Sequence, residues 1–526
     1  MDTPGENANR QIARAAGTVM IAFIVSNLAG LVRQILVANA FGTGAEMEAF
    51  NAANRVAETL FNLVAGGALA SVFIPTFTAL LTKGEHTQAW KLASAIINLA
   101  LIVLVVLSGL AAIFARPIVH YILAPGFSVD PAKEALTIHL MRLMLPSAVI
   151  FGLSGIVMGV LNSHQVFLIP ALTPALYQLG MIFGVVVLSP KSGIYGLAWG
   201  VVIGAALHLS VQIPSLLRQK GQYFPILGLN LPSVREVITL LLPRLFGVAV
   251  VQLNFWVNTR LASSQPEGSV TGIVTAFTLM LMPQAAIAQS IAIAAMPTLA
   301  SQHALGKIDE FRASLAASLR GVLLLSLPAS VGLILLRKPI ITLLYQRGEF
   351  DEHSTQLVAW ALLWYAAGLV GHCVVEILAR AFYALHDTIT PVMVGAVAMS
   401  LNILFSFIFS GLFNRIGWAP HGGLALANSL ATALEMVGLI VFMNRRLGGI
   451  HGRHLFNGFS LAAVATLIMA AVIGLWIYQF GNMPAWIVAG GGILLGLGVY
   501  GISGWLMKIP ELQVGLKWAT KKLIRS

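Results

Sequence analysis

The amino-acid sequence predicts an all-α polytopic membrane protein of about 14 transmembrane helices. They form two six-helix bundles related by a parallel repeat, with two further helices on the C-terminal side. Three observations carry this prediction. Of the 526 residues, 58% are hydrophobic and only 10% are charged, against about 25% charged in soluble domains. Apolar segments long enough to cross a hydrocarbon core of about 30 Å recur along the whole chain. Local motifs also return at a common offset of about 222 residues.

The apolar segments run over 15–40, 49–82, 92–115, 135–162, 167–189, 193–217, 236–262, 270–302, 313–336, 354–385, 389–412, 421–444, 455–479 and 484–507. Residues 1–14 are polar and read as a cytoplasmic N-terminal segment; the full-length stretch after them reads as a first transmembrane helix and not as a cleaved signal peptide. Gly66 and Gly67 in the second segment and Pro283 in the eighth are candidate bends, since bilayer helices tolerate such residues. Loop charge sets the orientation. Arg10, Arg14, Lys83, Lys91, Arg218, Lys220, Arg235, Lys307, Arg312, Arg445 and Arg446 fall on one side with the basic tail 508–526, and fewer cations fall on the other. The positive-inside rule then places both termini in the cytoplasm. This asymmetry accounts for the net charge of +12 without a nucleic-acid partner. The basic loop around His451, Arg453 and His454 reads as solvated.

The repeat aligns Ile74-Pro75-Thr76 with Met296-Pro297-Thr298, and Arg116-Pro117-Ile118-Val119 with Arg337-Lys338-Pro339-Ile340-Ile341. It also aligns Leu161, His164 and Pro170 with Tyr383, His386 and Pro391. An even number of helices per repeat makes the two halves parallel, the plan of a transporter with its site near mid-membrane. The expected divisions are a bundle at 15–220, a second at 232–446, and a helical pair at 455–507. A single cysteine, Cys373, excludes an intrachain disulfide, and no run of residues has metal-ligand spacing. No phosphate-binding loop or nucleophile elbow is present, so an enzyme is not expected and neither is a cofactor.

The charges inside apolar segments are the candidate functional residues. A guanidinium near a bilayer centre costs from about 2.5 to more than 10 kcal/mol, so it needs a partner or a task. Arg33 has no acid three or four residues away, which leaves it for a ligand or for an acid on another helix. Arg55 and Glu58 are three apart and can pair along one face, with Glu48 further out on the same helix. Glu376 and Arg380 are four apart in the favoured order for a helical pair. Arg142, Arg244 and Arg260 lie near segment ends, where long side chains reach the interface. Glu435 stands alone as a coupling-ion site or the partner of a buried arginine. Asn27, Asn62, Gln252, Asn254 and Asn402 are polar candidates for a cavity lining or for hydrogen bonds between helices.

Two long local motifs stand out: Leu344-Tyr345-Gln346-Arg347-Gly348-Glu349-Phe350-Asp351, and Arg380-Ala381-Phe382-Tyr383-Ala384-Leu385-His386-Asp387-Thr388-Ile389-Thr390-Pro391. Gly30-Leu31-Val32-Arg33 with Phe41-Gly42, Phe73-Ile74-Pro75 and Ala124-Pro125-Gly126-Phe127 add to them. With these motifs the chain resembles the MurJ/MviN lipid II flippases of bacteria, within the multidrug/oligosaccharidyl-lipid/polysaccharide exporter superfamily. The resemblance implies export of a polyprenyl-pyrophosphate-linked disaccharide-pentapeptide from the cytoplasmic to the periplasmic leaflet. It implies cavity arginines on the pyrophosphate, a lipid-tail groove at the last two helices, and an inner-membrane location. Cell-wall synthesis proteins would be partners. The chain departs from the family pattern where Asn27, Phe61 and Thr278 occupy positions at which arginine is usual, and where Gln34 replaces an acid. Arg33 therefore transfers directly, and Arg55 and Arg260 are the expected replacements for the rest. The departures leave open another polyprenyl-linked glycan as cargo. A cation-coupled drug antiporter fits less well, because arginine outnumbers acid in the apolar segments. With no nucleotide-binding domain, the drive would be an Na+ or H+ gradient or the membrane potential, worth about 2.3 kcal/mol per charge per 100 mV.

Overall fold

The computed structural model describes residues 4–64, 67–450 and 452–508. Most of the basic tail at 508–526 lies outside these, as do residues 1–3, Gly66 and His451. The chain divides into two compact units, one of Met1–Glu267 with Arg347–Phe350, the other of Gly268–Gln346 with Asp351–Ser526.

In the first unit α1 spans Pro4–Phe41, α2 Ala45–Val64, α3 Gly67–Thr82, α4 His86–Ile113 and α5 Pro131–Ser163. They are followed by α6 at Leu168–Phe183, α7 at Ile194–Ser210 and α8 at Pro232–Ser263. Helix α1 stops at Gly42, whose φ of +55° suits a residue without Cβ. Asp130 caps α5 by accepting from the backbone N–H groups of Ala132 and Lys133, with Pro131 at the first helical position. Helices α6 and α7 meet through small residues. A Cβ on Gly180 would lie 2.3 Å from Gly204 Cα, and one on Gly184 2.6 Å from Gly200 Cα. This is how membrane helices reach close backbone contact without a hydrophobic drive between them. Behind α3, α4, α5 and α8 sits a core of Val72, Phe73, Phe77, Leu92, Ile96, Val160 and Val237.

The segment Arg347–Phe350 belongs to this unit, although its sequence neighbours belong to the other. Glu349 N donates to Asn39 O at 3.0 Å. Gly348 has φ +57°, and a Cβ there would meet Asn39 O at 2.3 Å. A methyl group would add left-handed strain to a backbone clash. Gly348→Ala is therefore expected to destabilise the protein by about 2 kcal/mol or more. A thermal unfolding midpoint unchanged in detergent would contradict this.

The second unit holds α9 at Ser269–Gln284, α10 at Ser290–Ala304, α11 at Ile308–Tyr345, α12 at Glu352–Ala367 and α13 at Leu369–Ala384. Helices α14 at Ile389–Arg415, α15 at His421–Leu447, α16 at Gly452–Phe480 and α17 at Ala485–Leu506 complete it. Just after Pro283, where a bend is expected, the helix widens into a π turn over Ala285–Gln289. Helices α16 and α17 pack on α11 through Leu324, Leu336, Ala465, Met469, Ile473 and Tyr500. Tyr500 Oη donates to Leu324 O at 2.6 Å. Trp360, Trp364, Phe413 and Trp418 cluster at one end of α12 and α14, as aromatic rings do at a membrane interface.

Among the described residues 12 helices are long and apolar enough to cross a membrane, or 13 when α12 and α13, bent by 47°, count as one span. The expected segment that does not qualify is the second. Its first part, α2, carries Glu46, Glu48, Arg55 and Glu58 within 20 residues. The boundary between the compact units falls after α8, at Glu267–Gly268.

Candidate substrate-binding site

The first unit carries most of the predicted polar residues. Arg33, half-buried on α1, faces α6. Its Nη1 lies 3.4 Å from Met181 Sδ, and among the described residues no carboxylate lies within ion-pairing distance. A thioether is a weak acceptor, so this contact leaves most of the guanidinium's donors for another ligand. One turn earlier, Gly30 faces Gln178, whose Oε1 is buried without a hydrogen-bond partner among the described residues.

Arg55 is engaged. Its Nη1 lies 2.9 Å from Glu58 Oε2, and its guanidinium sits 4.8 Å from the centre of the Phe255 ring. Asn54 Nδ2 donates to Glu58 Oε1 at 2.7 Å. One turn along α2, Thr59 Oγ1 accepts from Trp256 Nε1 at 2.8 Å and lies 3.2 Å from Gln252 Oε1. Gln252 thus ties α8 to α2. Asn254 accepts from Asn258 Nδ2 at 2.9 Å within α8. Asn27 is exposed on α1 and Asn62 half-buried on α2.

Two predicted residues have structural partners elsewhere. Glu48 is buried in an ion pair with Lys133, whose ammonium stands 4.2 Å from the centre of the Phe127 ring. Arg260 donates to the backbone carbonyls of Tyr121 and Ile122. It holds the turn between α4 and α5 in place, a task that competes with ligand contact.

At the positions where arginine is usual in the resembled family, other chemistry stands. Phe61 packs at a tilt against Phe151, ring centres 5.4 Å apart, and Phe151 also meets Tyr177 and His208. Thr278 Oγ1 donates to its own helix at Val274 O, 2.8 Å away. Its neighbour Phe277 packs on Tyr365 and His372.

In the second unit, Arg380 Nη2 donates to Glu376 Oε1 at 2.7 Å along α13. One turn before them, His372 Nε2 lies 3.0 Å from Asn428 Oδ1 and 3.3 Å from Thr432 Oγ1 on α15. Glu435, one turn beyond Thr432, lies against α14, where a Cβ on Gly395 would meet its Oε1 at 3.2 Å. Among the described residues it has no ion-pair partner. Asn402 is fully buried and accepts from Ser406 Oγ at 3.2 Å.

Sequence reasoning passed over three features. His208 and Gln212, four apart in an apolar helix, converge on Ser154 at 2.7 and 2.6 Å. The spacing of two polar residues on one face was the available signal. Arg320, 7% exposed on α11, packs against Gly458 of α16. The His372 contacts with Asn428 and Thr432 are the third, and nothing local announces them.

At the α13–α14 corner, outside the spanning segments, burial pushes the Asp387 carboxyl up. The N–H and hydroxyl of Thr390, with Arg446 at 2.8 Å, outweigh burial and hold the group below its usual value. A carboxylate depressed in the folded state stabilises the fold fully above its unfolded value of 3.8, and that contribution is lost as the pH falls below it. Asp387→Asn should therefore cost about 1 kcal/mol at neutral pH and leave less acid sensitivity below pH 4. Thermal unfolding across that range would test this, and equal acid sensitivity in wild type and variant would contradict it.

A family model described as Lipid II flippase MurJ matches residues 37–490. The chain belongs to that family. It is 32% identical over 446 residues to the lipid II flippase MurJ of Burkholderia cenocepacia, covering 83% of this chain and 84% of the relative. It is 29% identical to a probable lipid II flippase MurJ of Vibrio cholerae, over 97% and 98% of the two chains. Among solved structures, a lipid II flippase MurJ in an inward closed conformation superposes with a TM-score of 0.80 at 25% identity, over 93% of this chain and 98% of that one. An inward-facing multidrug resistance MATE family transporter of the MOP superfamily matches with a TM-score of 0.66 at 15% identity, over 82% of this chain and 98% of that one, which shows a shared fold. The chain is thus a multi-pass membrane protein of a transporter family. The family model begins just after Arg33 and takes in Arg55, Arg260, Glu376 and Glu435.

Proposed function

We propose that this protein is a lipid II flippase, moving the polyprenyl-pyrophosphate-linked peptidoglycan precursor from the cytoplasmic to the periplasmic leaflet by alternating access. Family membership supports the cargo, and one geometric observation supports the mechanism. Arg33 holds a half-buried guanidinium whose protein acceptor is a thioether. A planar guanidinium matches phosphate oxygens bidentately, and the attraction is stronger in a water-poor cavity than in bulk water. Arg55 assists by exchanging Glu58 for phosphate, while Arg260 remains on the carbonyls it holds. Helices α16 and α17 take the lipid tail. The protein resides in the bacterial inner membrane with both termini cytoplasmic, the orientation that the loop charges favour. Outward movement of a pyrophosphate is helped by an inside-negative potential, and Glu435 is the candidate for a coupled Na+ or H+.

The test is rescue of a bacterium depleted of its own flippase. Wild type should restore growth, and Arg33→Ala, expressed to the same level, should not. A correctly localised wild type that fails to rescue would sink the lipid II reading. A second reading, another polyprenyl-linked glycan as cargo, is favoured by Asn27, Phe61 and Thr278. The mass of the lipid that co-purifies decides between the two.

A further inference from the structure

Helices α3 and α8 of the first unit enclose an open groove of about 650 Å³. Its lining is graded. Lys83, directly after α3, stands at one end with Ser233 and Glu236 from the first turn of α8. Leu80, Val72 and Leu240 line the apolar part. Beyond it, the α8 surface continues outward with Leu242 and Phe246, each about 60% exposed. Arg244 also lines the groove but already interacts with other groups of the protein.

Lys83 and Glu236 face the same space with opposite charges, yet they form no ion pair with each other. Among the described residues neither side chain has another ionic or hydrogen-bond partner. Two opposite charges held apart across one groove suit a zwitterion of the reversed order. A diphosphate suits them poorly, because Glu236 repels it. The loop holding Lys83 lies at the end of a membrane helix, where headgroups lie, and the apolar lining next to it suits an acyl chain.

We propose that this groove binds one zwitterionic phospholipid with a primary ammonium headgroup, its phosphate on Lys83 and its ammonium on Glu236. The Ser233 hydroxyl donates to the phosphate, and one acyl chain lies along Leu80, Val72 and Leu240. Arg33 is not among the residues that line the groove, and the inference does not depend on what the protein transports.

The test is native mass spectrometry of the full-length protein, extracted and exchanged into defined mixtures of phosphatidylethanolamine, phosphatidylcholine and phosphatidylglycerol. Wild type should retain phosphatidylethanolamine about fivefold over either competitor, the upper end of what exposed charge contacts support. Lys83→Gln and Glu236→Gln should each abolish the preference, while Lys83→Arg should keep it. Thermal unfolding of each variant confirms that it is folded. The informative sign is that of Glu236→Gln. It weakens a zwitterion's binding but strengthens that of a purely anionic lipid. Increased retention of phosphatidylglycerol or of a polyprenyl diphosphate by wild type, enhanced further by Glu236→Gln, would overturn the proposal. So would retention that none of these substitutions alters.

Discussion

Arg33→Ala is expected to lower lipid II translocation by about 10- to 100-fold with the protein still folded. A charge-assisted hydrogen bond to a phosphate contributes about 1.5–3 kcal/mol, and among the described residues Arg33 has no carboxylate partner that would absorb the change. For the same reason the substitution should be mild for stability: it removes a contact to Met181 and relieves a desolvated charge. Arg33→Lys keeps the charge and loses the fork, so it should fall between the two. Arg55→Ala should behave differently, because it leaves Glu58 without its cation and uncovers Phe255. A comparison of initial translocation rates with thermal midpoints separates these cases. Loss of activity in Arg33→Ala that tracks a large loss of stability would assign the residue to packing.

Lys133→Ala is expected to destabilise the protein by about 3 kcal/mol. Glu48 is 2% exposed and Lys133 10%, so removing the ammonium takes its ion-pair partner from a buried carboxylate. The stacking of Lys133 over Phe127 is lost as well. Replacing both charges with apolar residues, Glu48→Leu with Lys133→Met, should recover much of the loss, since burying an ion pair carries its own desolvation cost. Unfolding of the two single variants and the double variant in detergent gives the coupling directly. Additive losses would mean that the pair is not coupled.

The features legible in the sequence are those set by local spacing. The membrane spans follow from apolar length, and the Glu376–Arg380 pair follows from its four-residue separation. That the second segment does not qualify as a span had a local signal too, since α2 carries four charges within 20 residues. The features that were not legible depend on which helices meet. Lys133 reads as one more loop cation, and its acid lies 85 residues away. Arg260 reads as a membrane-end arginine, and what it holds are two backbone carbonyls, groups common to every residue. Gly348 is conspicuous as a motif residue, but the reason for a glycine is the approach of Asn39 O, more than 300 positions earlier. Helix α8 likewise begins the second sequence repeat yet packs with the first unit, because Gln252 and Trp256 meet Thr59 there.

The central claim is that the protein carries lipid II across a bilayer with Arg33 on its pyrophosphate. The most direct measurement is translocation of lipid II in liposomes containing only the purified protein, with an inside-negative potential imposed. The account predicts translocation by wild type, a rate that rises with the potential, and a 10- to 100-fold lower rate for Arg33→Ala at unchanged thermal stability. Equal rates for wild type and protein-free liposomes, or an Arg33→Ala rate equal to wild type, would contradict it.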